Sequence, residues 1–136
     1  QPVYTAVENV AFPLVFARVP PGERRERAKA ALRTVGLSTR LNHKPSELSG
    51  GERARVTIAR ALVNDSAIVL ADEPTGNLDS KTGAMVVELL TSLNRERGIT
   101  LVLVTHDSEI AKYAHRMVFL RDGKIANIRE RANETR

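Results

Sequence analysis

Apolar positions fall at helical spacing in three stretches of this chain and run unbroken in two short ones. Ala28, Ala31, Leu32 and Val35 form the first helical stripe, closed by Gly36. Val56, Ala59, Leu62 and Val63 form the second, ended by Asn64, Asp65 and Ser66, and Val86, Leu89, Leu90 and Leu93 form the third. Asp79 or Ser80 is placed to cap this third helix, and Gly98 to stop it. The unbroken runs, residues 67–71 and 99–104, predict buried parallel strands. Their polar tips are Asp72-Glu73-Pro74 and Thr105-His106-Asp107. A short helix is expected over 108–113, then a hairpin whose strands flank Asp122-Gly123. Pro2, Pro13, Pro20 and Pro21 punctuate the first twenty residues, which read as irregular with one helical turn near 5–9. Residues 37–47 read as a short helix or turn ended by Pro45.

Strands alternating with helices in the second half predict an α/β fold with a parallel sheet, whereas the first half is helical. The expected division is a helical region over 1–66, an α/β region over 67–130 and a polar tail over 131–136. A chain of 136 residues with 42% hydrophobic and 27% charged content fits one soluble globular domain. No apolar run approaches the length needed to cross a bilayer, and no charged-then-apolar leader suggests export. The absence of cysteine excludes disulfides and thiolate metal sites and agrees with a cytoplasmic setting.

A net charge of +5 and a pI near 10.1 raise the question of nucleic acid. Most arginines, however, alternate with acids, as in Glu23-Arg24-Arg25-Glu26-Arg27, and only 4% of residues are aromatic. That pattern favours a solvated helix face over a base-stacking surface, so no specific nucleic-acid partner is expected.

The candidate chemistry gathers at the strand tips and at one glycine pair. Ligands of open α/β sheets sit outside the carboxyl ends of the strands, where Asp72 and Glu73 emerge. Asp72 suits Mg²⁺, which uses one or two carboxylates and keeps several waters. Glu73, one residue on, suits the polarisation of an attacking water in phosphoryl transfer. The bland alternative is a strand end and surface turn. Leu48-Ser49-Gly50-Gly51-Glu52 opens a helix with unobstructed backbone donors and a positive end, an anion site if it is not simply a linker. His106, at the other strand tip, would donate to a terminal phosphate and orient Glu73 or its water if the strands are parallel neighbours. His43 and His115 have no comparable setting. Thr75-Gly76-Asn77-Leu78-Asp79 is a turn and helix cap by default, and it is also placed to couple Glu73 to whatever packs on it.

In order and spacing these motifs resemble those of the ATP-binding cassette (ABC) ATPases. Residues 48–52 resemble the family signature, 68–73 its Walker B strand, 77–79 its D-loop, and His106 its switch histidine. Thr5 to Val10, Pro45-Ser46-Glu47 and Thr75 to Ser80 further resemble the lipoprotein-release and macrolide-export class. The resemblance implies a P-loop NTPase fold, here incomplete: a helical signature subdomain plus part of the parallel-sheet core. It implies ATP and Mg²⁺ as ligands, with Asp72 at the metal and Glu73 and His106 catalytic. Ser49, Gly50, Gly51, Glu52, Asn77 and Asp79 would bind nucleotide. It implies two ATPase subunits that sandwich ATP head to tail and drive membrane permease subunits from the cytoplasmic face.

The chain departs from the family pattern in three respects. No Gly-x-x-x-x-Gly-Lys-[Ser/Thr] occurs in the 136 residues. Glu52 stands where glutamine is commoner, and Ala54 where relatives usually carry glutamine. In the family the phosphate-loop strand lies between the strand ending at His106 and the one near 117–120. The chain is therefore expected to be a fragment, weakly active or inactive alone, with apolar strand edges open to self-association. Alternatives are a non-catalytic interaction module, or an ATPase of the DNA-repair or translation type.

Overall fold

The computed structural model describes residues 1–131, which fall into two compact units, Gln1–Val104 and a second opening at Thr105. In the first unit, α1 (Ala6–Phe16), α2 (Pro21–Thr34), a 3-10 turn (Pro45–Glu47) and α3 (Gly50–Leu62) precede β1 (Ile68–Asp72), α4 (Ser80–Arg97) and β2 (Thr100–Val104). The second holds α5 (Ser108–Ala111), β3 (Arg116–Arg121) and β4 (Lys124–Glu130). Of the polar tail expected over 131–136, Arg131 is exposed and residues 132–136 lie outside the described residues.

The first twenty residues are more regular than their prolines suggested: α1 runs eleven residues, through Pro13. Thr5 and Glu8 explain its start. The Glu8 carboxylate accepts from the Thr5 N–H at 2.7 Å and its hydroxyl at 2.8 Å, while Thr5 Oγ1 caps the Glu8 amide. Buried Ala6, Val7, Val10 and Leu14 then outweigh the hydrogen bond that Pro13 cannot make. Asn9, also buried, satisfies its side-chain amide on the carbonyls of Gln1, Tyr4 and Thr5.

These α1 residues join Ala28 and Leu32 of α2, Ala59 and Leu62 of α3, and Val86, Leu90 and Leu93 of α4 in one core. Fully burying each large aliphatic side chain is worth about 1.5–3 kcal/mol. Arginines tie the helices together at its rim. Arg27 donates to the Val63 carbonyl at 2.9 Å, Arg55 to the Val35 carbonyl at 2.9 Å, and Arg97 of α4 to Thr34 Oγ1 at 2.9 Å. Part of the basic charge therefore closes helix ends within the molecule.

β1 and β2 pair in parallel, Ile68 opposite Thr100 through to Asp72 opposite Val104, with α4 as the crossover. Gly98 ends α4 at φ +65°, donating its N–H to the Asn94 carbonyl at 3.0 Å. The strands are less buried than their unbroken apolar runs predicted. Val69 enters the core, and Leu101 and Leu103 pack against it, but Ile68 and Leu70 are 57% and 76% exposed. Among the described residues this sheet has two strands, with the helical core against Val69. The other face of β1 is consequently open.

In the second unit, Asp122 and Gly123 at φ +50° and +73° make the expected tight turn between antiparallel β3 and β4. Arg116 holds the hairpin's open end through Glu130 at 2.6 and 2.9 Å.

Candidate nucleotide site

Asp72 is the last residue of β1, and its carboxylate is exposed at the carboxyl edge of the parallel pair. Glu73 follows in an unusual conformation, φ +44°, a region that non-glycine residues occupy at a cost of about 1–3 kcal/mol. Hydrogen bonds on both sides hold it there. Its N–H donates to the Val104 carbonyl at 2.9 Å, and its own carbonyl accepts from Gly76 at 3.1 Å. The chain thus turns sharply as it leaves the sheet. Strained backbone of this kind concentrates where a side chain must be aimed.

The turn continues with Leu78 N–H donating to the Thr75 carbonyl at 3.0 Å, and reaches Asp79, the N-cap of α4. Asp79 accepts from the Thr82 amide at 3.0 Å and the Thr82 hydroxyl at 2.6 Å. Those two donors hold its carboxyl below the usual aspartate range, the hydroxyl first. Asn77 and Asp79 are both exposed on this loop.

Ser49 caps α3 in a reciprocal arrangement: Ser49 Oγ accepts from the Glu52 amide at 3.2 Å, and Glu52 Oε2 accepts from the Ser49 amide at 2.8 Å. Arg40 donates to Glu52 Oε1 at 2.9 Å. The guanidinium beside it, followed by the Ser49 amide, holds the Glu52 carboxyl low. The Ser49 hydroxyl oxygen thus serves the helix as an acceptor. The helical ladder leaves the Gly50 and Gly51 amides without intrahelical acceptors, so they are the donors available to a ligand. Ala54 sits on the same helix, partly buried against the core.

Two of the sequence motifs meet. A Cβ on Gly50 would stand 3.0 Å from Leu78 Cδ2, and one on Gly51 only 2.6 Å from Thr82 Cγ2. The beginnings of α3 and α4 thus abut, with glycine required for their approach. Beside them is a recess of about 420 Å³ lined by Ser49, Gly51, Glu52, Arg55, Thr82 and Met85. Sequence reasoning missed Arg40 and Thr82. Thr82 carried a local signal, three residues beyond a capping aspartate; Arg40 carried none, because its partner is fixed by the turn after α2.

His106 lies two positions beyond the last residue of β2, in the second unit, where Asp107 caps α5 by accepting from the Glu109 amide at 2.8 Å. Asp72 carries the candidate metal chemistry: among the described residues no cluster of three or more His, Asp or Glu side chains forms. One exposed carboxylate fits Mg²⁺, which takes most of its ligands from phosphate and water.

A model of the ABC transporter family matches residues 1–76. The chain is 53% identical over 124 residues to an uncharacterized ABC transporter ATP-binding protein of Methanocaldococcus jannaschii, covering 91% of this chain and 55% of that one. A second such protein, from Thermotoga maritima, is 52% identical over 130 residues, covering 96% and 55%. Among solved structures, it superposes on the ATP-binding cassette MJ0796 in a dimeric, post-hydrolysis state bound to ADP and Pi. The TM-score is 0.80 at 46% identity, covering 96% of this chain and 58% of that one. The fold is thus that of an ABC ATPase cassette, and the chain belongs to the ABC transporter ATP-binding family. It spans slightly more than half the length of the relatives it matches.

Proposed function

We propose that this chain is part of the ATP-hydrolysing subunit of an ABC transporter of the lipoprotein-release and macrolide-export class, acting in export or extraction at the membrane. The observation that carries the reading is the parallel β1–β2 pair, whose carboxyl edge carries Asp72 and, in a strained turn, Glu73. MgATP, when bound, supplies the phosphoryl group that is transferred to water. Asp72 would hold the metal directly or through water, and Glu73 would take a proton from the attacking water. His106 would donate to a terminal phosphate. The Gly50 and Gly51 amides, at the positive end of α3, would bind phosphate of an ATP held chiefly by a second subunit, with Ser49 and Glu52 fixing their direction. Asn77 and Asp79 would contact that second subunit's nucleotide site.

The head-to-tail dimer draws support from the dimeric cassette to which this chain is similar. A permease partner draws support from a groove of about 290 Å³ along α1 and the start of α2, lined by Tyr4, Val7, Phe12, Val15, Arg24 and Arg25. Phe16, stacked edge-on against Phe12, is 75% exposed beside it. Attachment to the cytoplasmic face through such a partner is part of this proposal; among the described residues no helix is long and apolar enough to cross a membrane.

A second reading, a non-catalytic interaction module, is favoured by the groove along α1 and the exposed Phe16 beside it. Adding the chain to an intact cassette of the same class and following phosphate release separates the two. Stimulated release that disappears with Ser49→Ala and Glu73→Gln supports the hydrolytic reading. Stimulation insensitive to both variants, or inhibition alone, supports the module.

A further inference from the structure

Thr82 is in contact with both motifs that meet at the starts of α3 and α4. Its methyl carbon Cγ2 occupies the space in which a Cβ on Gly51 would lie, 2.6 Å from that position. Its hydroxyl donates to Asp79 Oδ2 at 2.6 Å, and its amide to Asp79 Oδ1 at 3.0 Å. Four residues earlier, Leu78 Cδ2 lies 3.0 Å from where a Cβ on Gly50 would be. On the far side, Thr75 Cβ lies 3.3 Å from where a Cβ on Gly83 would be, which fixes the other end of the loop to α4. Close-packed contacts of this kind transmit displacement rather than absorb it.

We propose that Thr82 is a positioning residue that ties the Ser49–Gly51 segment to the Asn77–Asp79 loop, so that movement of either is passed to the other. Threonine is the residue that does both jobs in this space. Serine keeps the hydroxyl and loses the methyl against Gly51. Valine fills the space and loses the bond to Asp79. The relay rests on the proposed function only for what it transmits, a displacement of the α3 start on binding phosphate. The contact itself needs no nucleotide, so its test and the phosphate-release experiment fail independently.

The test uses this chain without ligand, with the Asp79 carboxyl carbon titrated by NMR. Thr82→Val raises the Asp79 midpoint toward the ordinary value of 3.8, whereas Thr82→Ser leaves it low. Gly51→Ala displaces the Thr82 side chain and raises the midpoint as well, although residue 51 is not a hydrogen-bond partner of Asp79. Adding Thr82→Ser to Gly51→Ala removes the clashing methyl and lowers the midpoint again. A Gly51→Ala chain with the parent midpoint, or a double variant that stays raised, overturns the proposal. Should Gly51→Ala fail to fold, the relay is read in reverse. Asp79→Ala then shifts the Gly51 amide resonance in the parent and leaves it in place in the Thr82→Ser background. Equal shifts in both backgrounds overturn it.

Discussion

Arg40 donates its Nε–H to Glu52 Oε1 at 2.9 Å, and so secures the carboxylate whose other oxygen closes the start of α3 onto Ser49. The acid that replaces the family's commoner glutamine thus has a cation matched to it. Arg40→Met removes that partner and is expected to lower stability by about 0.5–1 kcal/mol, since both groups remain partly exposed. The effect depends on pH. Because the folded Glu52 carboxyl lies below its ordinary value of 4.5, its contribution is fully present above that value and is lost as pH falls through the lowered one. Urea melts at pH 7 and pH 3 check this: the gap between parent and variant narrows in acid.

Ser49→Ala leaves the Glu52 amide without its side-chain acceptor. The expected cost is about 1 kcal/mol, the usual value of a lost N-cap, measured as a shift in the urea midpoint with unchanged slope. Ser49→Asp restores the cap, and stability returns toward the parent. Phosphate release in the mixed-cassette experiment does not return, because the added charge repels phosphate.

Gly98 isolates backbone conformation from packing. A Cβ there meets nothing within 4 Å, yet φ is +65°. Gly98→Ala should therefore cost about 1 kcal/mol through the left-handed conformation alone. Gly98→Asn should cost less, since asparagine tolerates that region better. Thermal unfolding of the two variants ranks them.

Leu90 is 1% exposed in the middle of α4 and belongs to the core shared by all four long helices. Leu90→Ala is expected to destabilise by about 2–5 kcal/mol, through lost transfer energy and the cavity left behind. Met85, on the same helix but 48% exposed, should tolerate alanine within about 0.5 kcal/mol.

Ile68 and Leu70 present an open apolar strand face, and exposed apolar patches of this kind are sites of association between copies. Self-association that rises with protein concentration is expected in sedimentation. Leu70→Lys should reduce it without loss of helical circular dichroism, because Leu70 lies outside the core. Unchanged association in Leu70→Lys argues that the copies meet elsewhere.

The helices from α2 onward, both parallel strands and the hairpin were legible in the sequence because each is governed by local rules. The stripe through Val86, Leu90 and Leu93, the cap at Asp79, the stop at Gly98 and the turn at Asp122-Gly123 are short-range signals. The error over α1 has the same origin. Pro13 is a strong local breaker, and the burial of Val7, Val10 and Leu14 that overrides it depends on residues far along the chain. The exposed faces of Ile68 and Leu70 were illegible for a related reason: an unbroken apolar run reports what a strand prefers, not what is there to cover it.

By itself the sequence determined which residue types stand at the ends of elements, Ser49-Gly50-Gly51 at the start of a helix and Asp72-Glu73 and His106 beyond the strands, and so which residues are candidates for phosphate chemistry. It also determined the order of helices and strands, through periodicity. Tertiary structure alone decided that the glycine pair packs under Leu78 and Thr82, that Arg40 reaches Glu52, and that Glu73 is held at positive φ by the Val104 carbonyl. Each of these is a contact between segments whose separation along the chain carries no local signal. Only closure of the core, with its loss of chain entropy offset by buried apolar surface, brings such segments within reach.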